Sequence, residues 1–247
     1  MADVKYQPQV RAGTQAVIDE GLRAYMMKVY NYMAAGLAIT SAAAVGTYMA
    51  AVDSSSGTQQ LTALGQLLFA SPLMWVIVLA PVALVFFLSF RIQHMSVAAA
   101  QTTFWIYAAL VGVSFAALGL VYTHGSIARV FLITAGTFGA MSLYGYTTKR
   151  DLTSMGSFLF MGLIGIIIAS LVNLFFASSA MAWVISVLGV VIFTGLTAYD
   201  TQKIKEMYFE ADEVAVVGRK AIMGALSLYL DFINLFLSLL RIFGNRN

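Results

Sequence analysis

Residues 224–240 read GALSLYLDFINLFLSLL, an apolar run with a single acid, Asp231, near its middle. An ionised side chain at the centre of a lipid-exposed helix costs about 2.5–3.5 kcal/mol, so Asp231 demands a polar neighbourhood. With helical periodicity, Ser227, Asp231, Asn234 and Ser238 recur at i, i+4, i+7 and i+11 and form one polar stripe on an otherwise apolar rod. Such a stripe turns toward protein or water rather than acyl chains, and the run reads as a membrane span packed into a bundle.

The remainder of the chain has the same character. Hydrophobic residues make up 60% of the 247 and charged residues only 10%, with a mean hydropathy of +0.84. Crossing a hydrocarbon core of about 30 Å takes about 20 helical residues. Apolar runs of that order occupy 27–50, 73–90, 98–122, 127–146, 155–177, 180–199 and 221–243. Very short connections join the third to the fourth and the fifth to the sixth, making antiparallel hairpins. A membrane β-barrel would show alternating apolar and polar residues over about ten positions, and that alternation is missing. The expected fold class is therefore an all-α integral membrane protein, a seven-transmembrane-helix bundle. Residues 1–26 form a polar N-terminal segment without the apolar core and cleavage site of a signal peptide, and 27–247 form a single membrane domain.

Orientation follows from the basic residues, which accumulate in short cytoplasmic loops. With the N-terminus inside, Lys5, Arg11, Arg23, Lys28, Arg91, Lys149, Arg150, Lys203, Lys205, Arg219 and Lys220 are cytoplasmic, and Arg129, Arg241 and Arg246 fall at outer ends. An odd number of spans puts the C-terminus outside. Arg241 and Arg246 pull against that, and a re-entrant last segment would return the tail to the cytoplasm. Leu61, Leu64 and Leu68, in a loop without Lys or Arg, have the spacing of a short helix lying on the outer surface.

Several function classes drop out. The absence of cysteine removes disulfides, thiolate metal sites and cysteine nucleophiles together. A net charge of +3 and a pI near 9.1 reflect topology signals between spans rather than a nucleic-acid patch. Glu206, Glu210, Asp212 and Glu213 lack the EF-hand pattern and its central glycine and read as a solvated face. His94 and His124 sit in short loops as solvated residues. Gly136 and Gly139, with Gly162 and Gly165, are expected at close helix contacts. Tyr25, Tyr30, Tyr107 and Tyr199 read as interfacial anchors or packing residues.

Two further residues join Asp231 as candidates. Asp200, in TGLTAYDTQKIKEMY, stands where the sixth apolar run gives way to a charged helical extension. Its plainer reading is an interfacial carboxylate with Lys203 one turn away, a contact worth a few tenths of a kcal/mol. Arg91 closes the second span on the same side, where a guanidinium can clamp a carboxylate through paired N–H donors. Its plainer reading is an anchor on lipid phosphate. For Asp231 the plainer reading is a hydrogen-bonded carboxyl holding the bundle together, against ion passage or proton coupling.

The segments GAMSLYGYTTKRDLTSMGSFLF, TGLTAYDTQKIKEMY and GALSLYLDFINLFLSLLRIFGNR, in that order, resemble the Bax inhibitor-1 family, also called the transmembrane Bax inhibitor motif family, and specifically its bacterial members. The resemblance implies a seven-helix bundle with the last helix central, in a bacterial cytoplasmic (inner) membrane, and a calcium leak controlled by pH. By this resemblance Asp200 and Asp231 are the proton sensor and Arg91 the latch. The pair would also meet calcium weakly and transiently, since stable Ca²⁺ sites gather six to eight oxygens and two Asp with Asn234 and hydroxyls fall short. Calcium is then the permeant ion, with protons and the bilayer as the other partners and no cofactor. One departure stands out: some relatives carry an acid within the second span, and WVIVLAPVALVFFLSF has none. The residue chemistry fits a sensor, because two carboxylates close together in a poorly solvated place cannot both ionise easily.

The contrasting class is a non-conducting regulator that binds membrane proteases or stress and cell-survival complexes. No enzyme is expected. A retinal-linked pump needs a lysine inside the bundle for its Schiff base, and no span interior holds one. A presenilin-like protease would pair aspartates to activate water, but the glycine-rich aspartate motif is missing. No P-loop, dinucleotide fingerprint or histidine metal cluster occurs.

Overall fold

A computed structural model describes residues 8–53 and 59–247, with side chains from residue 20 onward. Lys5 and the side chain of Arg11, both assigned to the cytoplasm above, lie outside the described residues. Helix α1 (Pro8–Ala51) is followed by an antiparallel pair of two-residue strands, β1 (Val52–Asp53) and β2 (Gln60–Leu61), and by the short α2 (Ala63–Phe69). The long helices α3 (Leu73–Arg91) and α4 (Val97–Phe115) come next, then the single turn α5 (Leu118–Val121). The chain ends with α6 (His124–Thr147), α7 (Thr153–Phe176), α8 (Ser179–Glu206) and α9 (Val214–Phe243).

Among the described residues, seven helices are long and apolar enough to cross a membrane, with α4 and α5 counting as one span. The spans coincide with the apolar runs at their centres and extend past them at one end or both. Helix α8 continues through the polar stretch to Glu206, and α9 begins at Val214 rather than 221. A helix propagates on backbone hydrogen bonds, so it does not stop where hydropathy falls. For the same reason the polar residues from 8 to 26 are helical and continuous with the first span.

Serine and threonine close the turns. Thr62, Ser96, Thr123 and Ser178 each accept a backbone N–H of the first turn of α2, α4, α6 and α8. Ala177 adopts the left-handed conformation (φ 47°), and Asn173 Oδ1 accepts the Ser178 N–H at 2.9 Å, which reverses the chain between α7 and α8. Pro81 inside α3 cannot donate to the Ile77 carbonyl. Ser114 Oγ of α4 donates to that oxygen instead, at 2.8 Å, the repair by a neighbouring helix that a bilayer requires.

Helix α9 is the hub, with α1, α4, α6 and α8 packed around it. Two-thirds (67%) of its apolar window is buried, against 6% for α7 and 11% for α3, which line the outside. Aromatic rings fill the α6–α9 interface, where Phe131, Phe138, Phe232 and Phe236 meet at centroid distances of 5.3–6.1 Å. On the other side of α9 the Tyr229 ring stands edge-on to Phe104 and Tyr107, and its hydroxyl pairs with Thr40 Oγ1 at 2.7 Å. Tyr25 and Tyr107 are buried packing residues.

The expectation for the paired glycines holds at Gly162 and is corrected at Gly136, Gly139 and Gly165. A Cβ placed on Gly136, Gly139 or Gly165 would meet nothing within 4 Å, and one on Gly162 would touch only the Ile192 side chain, at 3.0 Å. The close approaches to a neighbouring backbone are elsewhere. Gly112 of α4 lies against the Thr40 carbonyl of α1, and Gly145 of α6 against the Ala198 carbonyl of α8. Three-residue spacing marks a helix face without saying which way that face points.

The re-entrant last segment is not what forms. Helix α9 is continuous for 30 residues, and the tail beyond it pairs with the connection between the third and fourth spans. Tyr122 bridges to Arg246, Thr123 N donates to Asn245 O and Asn247 N to Val121 O, both at 3.0 Å. The C-terminus thus lies at the end of the bundle opposite the Lys- and Arg-rich turns. The short helix expected around Leu61, Leu64 and Leu68 is present as α2 and carries Leu64 and Leu68, while Leu61 falls in β2.

Candidate functional site

Helices α8 and α9 run antiparallel, joined by residues 207–213. Their register is set by two small residues: Ile204 covers Gly224, and Ser238 lies over Gly189, where an added Cβ would stand 2.5 Å from Ser238 Oγ. That register brings Asp200 and Asp231 to one interface, and their carboxyl groups come within side-chain hydrogen-bonding range of each other. Asp231 is 5% exposed, and its Oδ2 has no hydrogen-bond partner. Asp200 is half-buried. Lys203 acts on it electrostatically and lies over the Tyr199 ring at 5.8 Å, without forming an ion pair with it.

The rest of the stripe follows Asp231. Asn234 Nδ2 donates to the Leu230 carbonyl and Ser238 Oγ to the Asn234 carbonyl, each at 2.8 Å. These bonds return to the helix's own backbone and leave the amide oxygen of Asn234 available. Ser227 is half-buried. Arg91 stands apart. It ends α3 with an exposed side chain, and among the described residues no ion pair joins it to Asp200. His94 and His124 are exposed, His124 edge-on to Tyr48.

Two carboxyls sharing an enclosed interface can exchange or share a proton and can meet a cation briefly. They supply at most four oxygens, fewer than a resident Ca²⁺ takes. Among the described residues no group of three or more His, Asp or Glu gathers to add to them.

The sequence model of the family described as inhibitor of apoptosis-promoting Bax1 matches residues 22–247. The chain belongs to the Bax inhibitor-1 family. Its relatives include the inner membrane protein YbhL of Escherichia coli K12, 48% identical over 229 residues that cover 92% of this chain and 93% of that one. An uncharacterized protein of Rickettsia prowazekii, RP147, is 52% identical over 92% of each chain. One from Deinococcus radiodurans is 41% identical over 99% of this chain and 100% of its own.

In this Bax inhibitor-1 chain the three recognisable segments meet around the polar end of α8. Thr201 Oγ1 donates to the Thr197 carbonyl, so it accepts from Ser142 Oγ at 2.9 Å, and Ser142 accepts in turn from Tyr30 OH at 2.6 Å. Gln202 Oε1 accepts the Leu152 N–H and its Nε2 donates to the Arg150 carbonyl, both at 2.8 Å. Lys205 Nζ donates to the Tyr146 carbonyl at 2.9 Å. Tyr199 packs on Gly156. The polar end of α8 therefore clasps the turn between α6 and α7, while Lys220 of α9 ties itself to Asp212 and the Met207 carbonyl. None of these ties was read from the sequence. Gln202 and Lys205, inside a segment already singled out, were the available signal.

Proposed function

We propose that this chain is a pH-sensitive calcium leak of the bacterial cytoplasmic membrane, with its N-terminus inside, in which Asp200 and Asp231 sense protons. The observation that carries the reading is the contact of Asp231 with Asp200 inside the bundle, with one carboxylate oxygen of Asp231 left unpartnered. Such a pair changes charge with pH as one unit, and it meets a cation weakly enough to release it again. The inner-membrane relative and the distribution of Lys and Arg support the location and orientation.

An Arg91–Asp200 contact closes the inner end of the path, and proton sharing between Asp200 and Asp231 sets how often it releases. Arg91 enters as the latch in a second arrangement, in which α3 swings its guanidinium onto Asp200. The two arrangements differ in whether Asp200 faces Asp231 or Arg91, and protonation biases that choice. The stripe residues Ser227, Asn234 and Ser238 then line the inner surface of the path.

Purified protein in liposomes loaded with a calcium-sensitive dye tests this. Wild-type flux should change with pH, and Asp200→Asn and Asp231→Asn should each flatten that profile; Arg91→Gln should raise flux at the pH where wild type is least active. Profiles that coincide for wild type and both Asp variants reject the sensor. No flux at any pH favours the non-conducting regulator of membrane proteases or stress complexes.

A further inference from the structure

Helices α1 and α6 both lean on α9, yet they leave a seam between them. The seam holds two grooves that meet at Leu37, near the middle of the first span. The groove on the Lys- and Arg-rich side has a volume of about 640 Å³. Its walls are apolar, with Met27, Met33 and Ala34 on α1 and Phe138, Gly139 and Leu143 on α6. Gly139 keeps it wide, since nothing lies within 4 Å of where its Cβ would be.

The end of this groove is different. Arg23 lines its mouth with an exposed side chain and no ion pair among the described residues. Across the seam, Tyr146 carries the Lys205 ammonium 5.4 Å from its ring centroid. The groove is thus an apolar slot with the Arg23 guanidinium at its mouth.

Its length selects an occupant. From Arg23 to Leu37 helix α1 rises about 21 Å, at about 1.5 Å per residue. One leaflet with its headgroups measures about 20–22 Å, half of a bilayer of about 40–45 Å. A helix is about 10–12 Å across with its side chains, and one long enough to span exceeds the groove volume several-fold. We propose that this groove binds one anionic phospholipid of the cytoplasmic leaflet, its phosphate at Arg23 and an acyl chain between α1 and α6 as far as Leu37. The site is distinct from the aspartate pair, because neither Asp200 nor Asp231 lines either groove.

The test reconstitutes the full chain in vesicles of equal phosphatidylglycerol and phosphatidylcholine, extracts it gently and counts retained lipid by native mass spectrometry. Wild type should retain phosphatidylglycerol in preference to phosphatidylcholine. Arg23→Gln should lower that preference about fivefold, the factor corresponding to about 1 kcal/mol for one basic residue near an anionic surface. Gly139→Leu, whose Cβ enters open space, should lower retention of both lipids. Glycerol phosphate, which has the headgroup charge without chains, should not displace the lipid. Equal retention of the two lipids by wild type, or unchanged retention in Gly139→Leu with its melting temperature preserved, overturns the proposal. So does a lipid-free dimer that Gly139→Leu dissociates, which would make a second copy of the chain the occupant.

Discussion

At the scale of single residues, one acid in an apolar run was legible because its cost in lipid is large and its helical neighbours are polar. Asp231 is accordingly buried against α8 rather than turned outward. Asp200 was legible only as a residue at the edge of a span, and its partnership with Asp231 came from family resemblance. The hydroxyl ties were not legible at all. Thr40 bonds Tyr229 OH at 2.7 Å and donates toward the Gly36 and Ala108 carbonyls, but a threonine in an apolar span looks the same whether or not it meets a partner. The two members of this tie differ in what their loss leaves behind. Thr40→Val strands the buried Tyr229 hydroxyl, whereas Tyr229→Phe leaves Thr40 with its backbone acceptors. Thr40→Val should therefore lower stability by about 1–2 kcal/mol, near the upper end for buried hydrogen bonds within membranes, and Tyr229→Phe by less. Unfolding titrations in mixed micelles would show the order, and a larger loss for Tyr229→Phe would contradict it.

At the scale of elements, span centres were legible from hydropathy and span ends were not, since α8 and α9 carry helix into polar sequence. Interfaces were misread for a related reason: Gly136 and Gly139 have contact-like spacing but face open space, while the single Gly145 touches the α8 backbone. The consequence is measurable. Gly145→Ala drives a methyl into the Ala198 carbonyl, where rigid backbone has to yield, and should lower the melting temperature clearly; Gly139→Ala should leave it within error. Equal effects would contradict the close contact of Gly145 with the Ala198 carbonyl. The clasp at the end of α8 makes a second element-scale prediction. Gln202→Ala frees both the Leu152 amide and the Arg150 carbonyl, so hydrogen exchange at 148–153 should accelerate while the α6 and α7 interiors keep their protection. Acceleration spread through both helices would instead assign Gln202 to the stability of the whole bundle.

At the scale of the whole molecule, the fold class was decided by composition and the count of apolar runs, and the centrality of α9 follows from its burial. The fate of the C-terminus had been ambiguous because Arg241 and Arg246 argue for the cytoplasm. The tail settles on the other end, with the Arg246 guanidinium carbon 6.0 Å from the Tyr122 ring centroid and Asn245 and Asn247 on backbone groups of the loop before α6. The chain has no cysteine, so single cysteines report topology cleanly. Asn247→Cys and Glu210→Cys should label from opposite faces of a sealed membrane, and labelling of both from one face would restore the re-entrant segment. The account as a whole depends on one proton held jointly by two carboxyls at the α8–α9 interface. Infrared difference spectroscopy across pH, on wild type, Asp200→Asn and Asp231→Asn, reads that proton directly. A protonated-carboxyl band that titrates in wild type and is shifted or abolished by either substitution is the predicted result; a band unchanged in Asp200→Asn would contradict the account.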